Sequence, residues 1–194
     1  CLMYSFDFAE IEALQMAGNW DGAAARMIEG AQRLAGGGAE CLVICTNTMH
    51  KLADSVQAAV DLPLIHIADP TADAIKAQGI DTVALLGTRF TMEEDFYKGR
   101  LIDTHHLRVL VPDAAGRATV HRIIYKELVL GEINAESRRA YQAVIDNLAA
   151  QGAEGVILGC TEIGLLIQQE HSPVPVFDTT HLHALAAVDF ALDT

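Results

Sequence analysis

The chain has 194 residues, 51% of them hydrophobic, and a formal net charge of −13. That composition describes a globular protein with enough chain for one large or two small domains, and the acidity argues against nucleic acid, which requires a basic face. No run approaches the ~18 apolar residues of a membrane span, and no signal peptide is visible.

The first residue is Cys, and Leu2–Phe8 already reads as a strand, so the natural chain is expected to begin upstream of it. Residues 8–36 carry a helical pattern that ends at Gly36-Gly37-Gly38, a helix C-terminal turn. Leu42-Val43-Ile44 is a buried strand, residues 49–60 a helix, Leu64–Ile67 a strand and residues 70–78 a helix. Val83–Leu86 is a strand ending in Gly87-Thr88. Residues 92–102 follow as helix, Leu107–Val111 as strand and residues 117–151 as a long helical stretch. Val156-Ile157-Leu158 and Val174–Phe177 are strands, and residues 179–192 form the last helix. Strands alternating with helices predict an α/β fold with mainly parallel sheets. Continuous apolar strands predict sheets covered on both faces.

An internal repeat is the most informative feature. Gly38-Ala39-Glu40-Cys41-Leu42-Val43-Ile44-Cys45-Thr46-Asn47-Thr48 aligns without gaps on Gly152-Ala153-Glu154-Gly155-Val156-Ile157-Leu158-Gly159-Cys160-Thr161-Glu162. The match reaches back to Leu34-Ala35 against Leu148-Ala149, and forward to Leu62-Pro63-Leu64 against Val174-Pro175-Val176. Two similar, pseudo-symmetric α/β halves are therefore expected: residues 1–79 with 179–194, lacking an N-terminal strand, and residues 80–178. The active site is expected in the cleft between them.

Ligands of open α/β sheets bind at the carboxyl ends of strands, where both polar loops lie. Backbone N–H groups at a helix start favour anions, carboxylates included. Thr46 and Cys160 would then approach one carbon from opposite faces, an arrangement suited to stereochemical inversion by proton removal and return. A helix start is expected to lower the pKa of the Cys160 thiol and so make it a base. Asn47, Thr48 and Thr161 are the expected donors to the developing carboxylate charge.

These residues resemble the aspartate/glutamate racemase family. Thr46-Asn47-Thr48-Met49-His50 resembles its first motif, Cys-Asn-Thr-Ala-His, and Gly159-Cys160-Thr161-Glu162 resembles its second, Gly-Cys-Thr-Glu. Gly87–Met92, Ile124–Leu128 and Asp178–Ala184 support the resemblance, which covers essentially the whole chain. It implies a two-domain racemase of aspartate, glutamate or a related amino acid, without pyridoxal phosphate or metal, and a homodimer.

The sequence departs from that pattern at Thr46, where the family has its first catalytic cysteine. Cys45 is one residue early, on the opposite face of a strand. A threonine hydroxyl is a poor base, so turnover from L to D through Cys160 is expected to be favoured kinetically. Lys126 matches a position where the family carries a cation for the distal carboxylate. Gln15 lies where some members have arginine, and Thr91 is a further pocket candidate. His183 lies near the second cysteine in the family, so it joins Glu162 and His50 around the site.

Plainer readings stand beside these. Thr46 can serve as a helix N-cap, His50 as a core histidine and Glu162 as a capping residue. His181 and His183 lack the partners of a metal site. The spacings of Cys1, Cys41, Cys45 and Cys160 fit neither zinc nor a disulfide framework, which suits a reducing cytoplasm; Cys41 and Cys45 read as core. Four lysines, none in a recognisable cofactor setting, speak against a pyridoxal enzyme. The alternative functions are a hydantoin racemase, a decarboxylase or isomerase on the same scaffold, or a non-catalytic amino-acid-binding protein.

Overall fold

The structure, a computed structural model, describes residues 1–192, which pack as two compact units. The first unit comprises Cys1–Val43 and Lys51–Ile65, and the second Ile44–His50 with the chain from His66 onward.

The first unit opens without regular structure, and its first helix, α1 (Phe8–Met16), begins at the N-cap Asp7, whose carboxylate accepts from the Ala9 amide. The strand expected over Leu2–Phe8 does not form: among the described residues no other segment pairs with it there. The single helix expected over 8–36 is two. Gly18 takes a left-handed φ of 68° and Asn19 caps α2 (Trp20–Gly36), so Gly and Asn impose a turn that the apolar pattern alone does not reveal. β1 (Leu42–Val43) pairs in parallel with β2 (Leu64–Ile65). Between them the chain makes a 3₁₀ turn (Thr48–Leu52) and the short α3 (Ala53–Gln57), less helix than residues 49–60 suggested. Ile11, Met27, Leu42, Leu52 and Val56 are buried.

The second unit is built on a four-stranded parallel sheet in the order β4-β3-β5-β6, from β3 (Thr82–Gly87), β4 (Arg108–Leu110), β5 (Gly155–Gly159) and β6 (Val176–Asp178). α4 (Ala68–Ala77) precedes β3, and α5 (Arg89–Glu93) and α6 (Asp95–Asp103) connect it to β4. The stretch 117–151 is again interrupted. α7 (Ala114–Lys126) ends in a 3₁₀ turn at Leu128–Leu130, Gly131 turns the chain with φ 78°, and Asn134 caps α8 (Ala135–Ala150). The four-residue α9 (Ile163–Leu166) follows β5, and α10 (Thr179–Leu192) follows β6.

The continuous apolar strands have the predicted consequence. Ala84, Leu86, Val156 and Leu158 pack on one face against α7 and α8 residues such as Ile123, Tyr141 and Ile145. Val83, Leu85, Ile157 and Phe177 pack on the other against Ile67, Ile75, Tyr97 and Leu101. Each fully buried aliphatic side chain contributes about 1.5–3 kcal/mol. At the sheet's carboxyl edge Gly87 pairs with Gly159. A Cβ on Gly87 would lie 2.6 Å from the Gly159 carbonyl oxygen, and one on Gly159 would lie 2.8 Å from that of Leu86. Only glycine lets these strand ends approach so closely. Among the described residues, no helix is long and apolar enough to cross a membrane.

Candidate active site

Three adjacent parallel strands of the second unit end side by side. Thr88 follows β3, Cys160 follows β5 and Thr179 follows β6, with Gly87 opposite Gly159 and Leu158 opposite Asp178. The first polar loop is fastened across this edge. Asn47 Nδ2 donates to Thr179 Oγ1 at 3.0 Å, and Thr179 Oγ1 donates to the Leu158 carbonyl at 2.8 Å. Thr48 Oγ1 lies 2.9 Å from Thr88 Oγ1, which lies 3.2 Å from Thr91 Oγ1. One loop residue thus holds the end of β6 and the next the end of β3, so the loop straddles β5 and Cys160.

This network fixes orientations. Thr179 spends its proton on Leu158, so it must accept from the Asn47 amide. Asn47 Oδ1 is left buried with no partner among the described residues. The sequence suggested a donor here; the atom left over is an acceptor. Thr48 and Thr91 are both buried, Thr91 fully, with their hydroxyls engaged by Thr88.

The thiol is also not as expected. Cys160 Sγ donates to Glu162 Oε2 at 2.9 Å, and Thr161 Oγ1 donates to the same oxygen at 3.0 Å. Burial and the Glu162 carboxylate hold the thiol well above its ordinary pKa, while the Thr161 and Glu162 amides pull the other way and lose. A helix start was expected to lower it, but α9 spans Ile163–Leu166 alone and its N-cap residue Glu162 makes no side-chain capping bond. One turn carries little dipole, and an anion sits beside the sulfur. Cys160 therefore rests as a thiol.

Thr46 is half-buried and is held through its backbone: its amide donates to the Ile44 carbonyl at 2.8 Å and its own carbonyl meets His50 Nδ1 at 2.8 Å. It is not a helix N-cap, since the helical turn begins at Thr48. Cys45, read as core, is exposed because β1 stops at Val43. His50 and His183 are buried, with ring centroids 5.7 Å apart. Lys126 is exposed at the end of α7 and has no ion-pair partner among the described residues. Gln15 is buried on α1 of the first unit. Among the described residues no group of three or more His, Cys, Asp or Glu could hold a metal. Thr88 and Thr179 are the site residues that sequence reasoning missed. The repeat register could have found Thr88, which follows a strand-end glycine as Cys160 does.

The sequence profile described as Asp/Glu/Hydantoin racemase matches residues 2–187. The crystal structure of a candidate Asp/Glu racemase from Yersinia pestis is 55% identical, with a TM-score of 0.90, over 98% of this chain and 83% of that one. An aspartate racemase homologue from Pyrococcus horikoshii OT3 is 34% identical, with a TM-score of 0.83, over 98% and 82%. The broad specificity amino-acid racemase RacX of Bacillus subtilis (strain 168) is 23% identical over 170 residues, 84% of this chain and 69% of that protein. These findings define the class of amino-acid racemases, which are isomerases. The chain belongs to the Asp/Glu/Hydantoin racemase family.

Proposed function

We propose that the protein is a cofactor-independent racemase of L-aspartate, L-glutamate or a related amino acid, with Cys160 moving the α-proton. The observation that carries this reading is the Asn47 and Thr48 loop anchored on either side of β5, with the Cys160 thiol at the end of that strand. A substrate ammonium would satisfy the orphaned Asn47 Oδ1. Lys126 is the proposed partner of the distal carboxylate, with Gln15 and Thr91 as further specificity residues. The two halves, residues 1–79 with 179–194 and residues 80–178, remain part of the proposal, as do a homodimer and a cytoplasmic setting.

The proposed chemistry starts from the protonated thiol. Its proton passes to Glu162 Oε2, to which it is already bonded. The thiolate then takes the α-proton, and the C–H electron pair moves toward the substrate carboxylate. A proton returns to the other face from the Thr46 side, with water as its source, because a threonine hydroxyl is a weak acid. The cycle closes when Glu162 releases its proton. The equilibrium constant of racemisation is one, so kcat/KM is equal in both directions; the asymmetry between Cys160 and Thr46 appears in kcat and KM separately.

Proton NMR of L-aspartate and L-glutamate in deuterated buffer tests this. The α-proton signal should decay with the wild-type protein and slow by about 10²- to 10⁴-fold with Cys160→Ala, the usual range for losing a general acid–base group. Persistence of both signals with wild type would overturn the reading. A second reading is favoured by the raised thiol pKa: a decarboxylase needs a proton donor on one face alone. It expects CO₂ release from a 2-substituted malonate without α-proton exchange of either amino acid.

A further inference from the structure

We infer that His50 is a positioning residue, which holds the Thr46 carbonyl and so the catalytic loop in place through its neutral Nδ1–H tautomer. The inference rests on the racemase reading for its kinetic arm alone. The two ring nitrogens of His50 have separate, opposite partners. The Ile67 amide points at Nε2 at 3.1 Å, so Nε2 must be the unprotonated acceptor. The hydrogen of the neutral ring is then on Nδ1, which donates to the Thr46 carbonyl at 2.8 Å. The backbone donor at Ile67, just before α4, thereby selects the tautomer that Thr46 requires.

Other loop residues are held by side chains: Asn47 through Thr179 and Thr48 through Thr88. Thr46 is the residue proposed to face the α-carbon, and its backbone is held by a tight turn to Ile44 and by this histidine. The ring is 2% exposed, so water does not substitute for either bond. Its surroundings keep it neutral. His66, just before α4, stacks edge-on at 4.5 Å and His183 of α10 lies 5.7 Å away. Arg100 of α6 adds a positive charge, and the Asp69 carboxylate of α4 is bound by Arg100 and His105. Burial and these neighbours push the His50 pKa well below its usual value. A charged ring would also lose its bond from Ile67.

Two substitutions separate the two bonds. In His50→Asn the amide nitrogen can occupy the place of Nδ1 and still donate to Thr46, while the acceptor for Ile67 is lost. In His50→Gln the amide oxygen can reach the place of Nε2 and accept from Ile67, while the donor to Thr46 is lost. His50→Gln should lower kcat on the order of 10²-fold, the scale of a small misplacement of a reacting group, and should speed amide hydrogen exchange across residues 46–48. His50→Asn should keep most of kcat and leave that exchange slow. In the wild type, ¹⁵N shifts should show protonated Nδ1 and bare Nε2, unchanged through the pH range where a free histidine titrates. An Nε2–H tautomer, or His50→Gln matching wild type in exchange of residues 46–48, would overturn the proposal. Should the wild type act on no amino acid, the racemase reading falls, and the tautomer and hydrogen-exchange measurements decide the role of His50 by themselves.

Discussion

The two copies of the repeat share one skeleton and differ in their chemistry. In each, a helix ends on a left-handed glycine, Gly38 with φ 89° and Gly152 with φ 101°. In each, the residue after that glycine bonds back five residues: Ala39 to Leu34 at 3.1 Å and Ala153 to Leu148 at 3.0 Å. An amide of the following strand then donates to a proline carbonyl, Leu42 to Pro63 at 2.8 Å and Val156 to Pro175 at 2.9 Å. The parallel registers agree too: Leu42 faces Leu64, and Val156 faces Val176. Past the strands the copies diverge, with Cys45, Thr46 and Thr48 standing against Gly159, Cys160 and Glu162. Turn and strand are fixed by glycine and apolar residues; the proposed reaction depends on the few side chains beyond them.

The sharpest way to break the comparison is at the first divergent pair. Gly159→Ala would drive a Cβ to 2.8 Å from the Leu86 carbonyl oxygen and 2.9 Å from Leu85 Cδ1. A backbone oxygen in a central strand cannot step aside, so the expected loss is about 3 kcal/mol or more. Cys45 is exposed beyond its strand, and Cys45→Ala should change stability by less than about 0.5 kcal/mol. Urea denaturation midpoints measure both. Equal losses would mean that the two strand ends are crowded alike.

The next difference is electrostatic. Glu162 stands beside the thiol in the second copy, where the first has Thr48. Its charge and hydrogen bond both raise the Cys160 pKa. In wild type the thiolate, the form that alkylating reagents attack, should appear above the ordinary thiol range. Glu162→Gln removes the charge, so the alkylation profile should move to lower pH, and each pKa unit recovered is worth about 1.4 kcal/mol or tenfold in thiolate. The measurement is the iodoacetamide rate against pH, with Cys1, Cys41 and Cys45 replaced by Ser. Amino-acid exchange should fall as reactivity rises, because the proposed proton acceptor is gone. An unmoved profile would mean that burial alone sets the pKa.

How much of this was legible in the sequence follows from range. The strands and turns were readable because their signals are local: Leu85-Leu86-Gly87 or Gly152-Ala153 state their own conformation. The repeat made Cys160 visible as a candidate site residue. Helix breaks at Gly18 and Gly131 were lost beneath a continuous apolar pattern, and β1 proved too short to bury Cys45. The thiol pKa was misread for a different reason. Its sign depends on how long α9 is and where the Glu162 carboxylate turns, and neither is set by spacing. The bonds from Asn47 to Thr179 and from Thr48 to Thr88 join residues far apart in the chain, so only folding brings them together.

The smallest expected effect bears on the shared skeleton itself. Gly38 and Gly152 both hold a left-handed φ, and neither has an atom within 4 Å of where a Cβ would sit. Space is therefore not the constraint, and conformation alone should set the cost of alanine. That cost is about 1–2 kcal/mol for a side chain in the left-handed region, and it should be the same at both positions. Their hydrogen bonds share no partner, so the double variant should lose the sum of the two. Thermal or urea unfolding of Gly38→Ala, Gly152→Ala and the pair gives the comparison. A markedly larger loss at Gly152 would show that the second copy strains its turn to place Cys160. Equal losses would mean that the two turns are interchangeable supports, and that the functional difference resides wholly in the loops that follow.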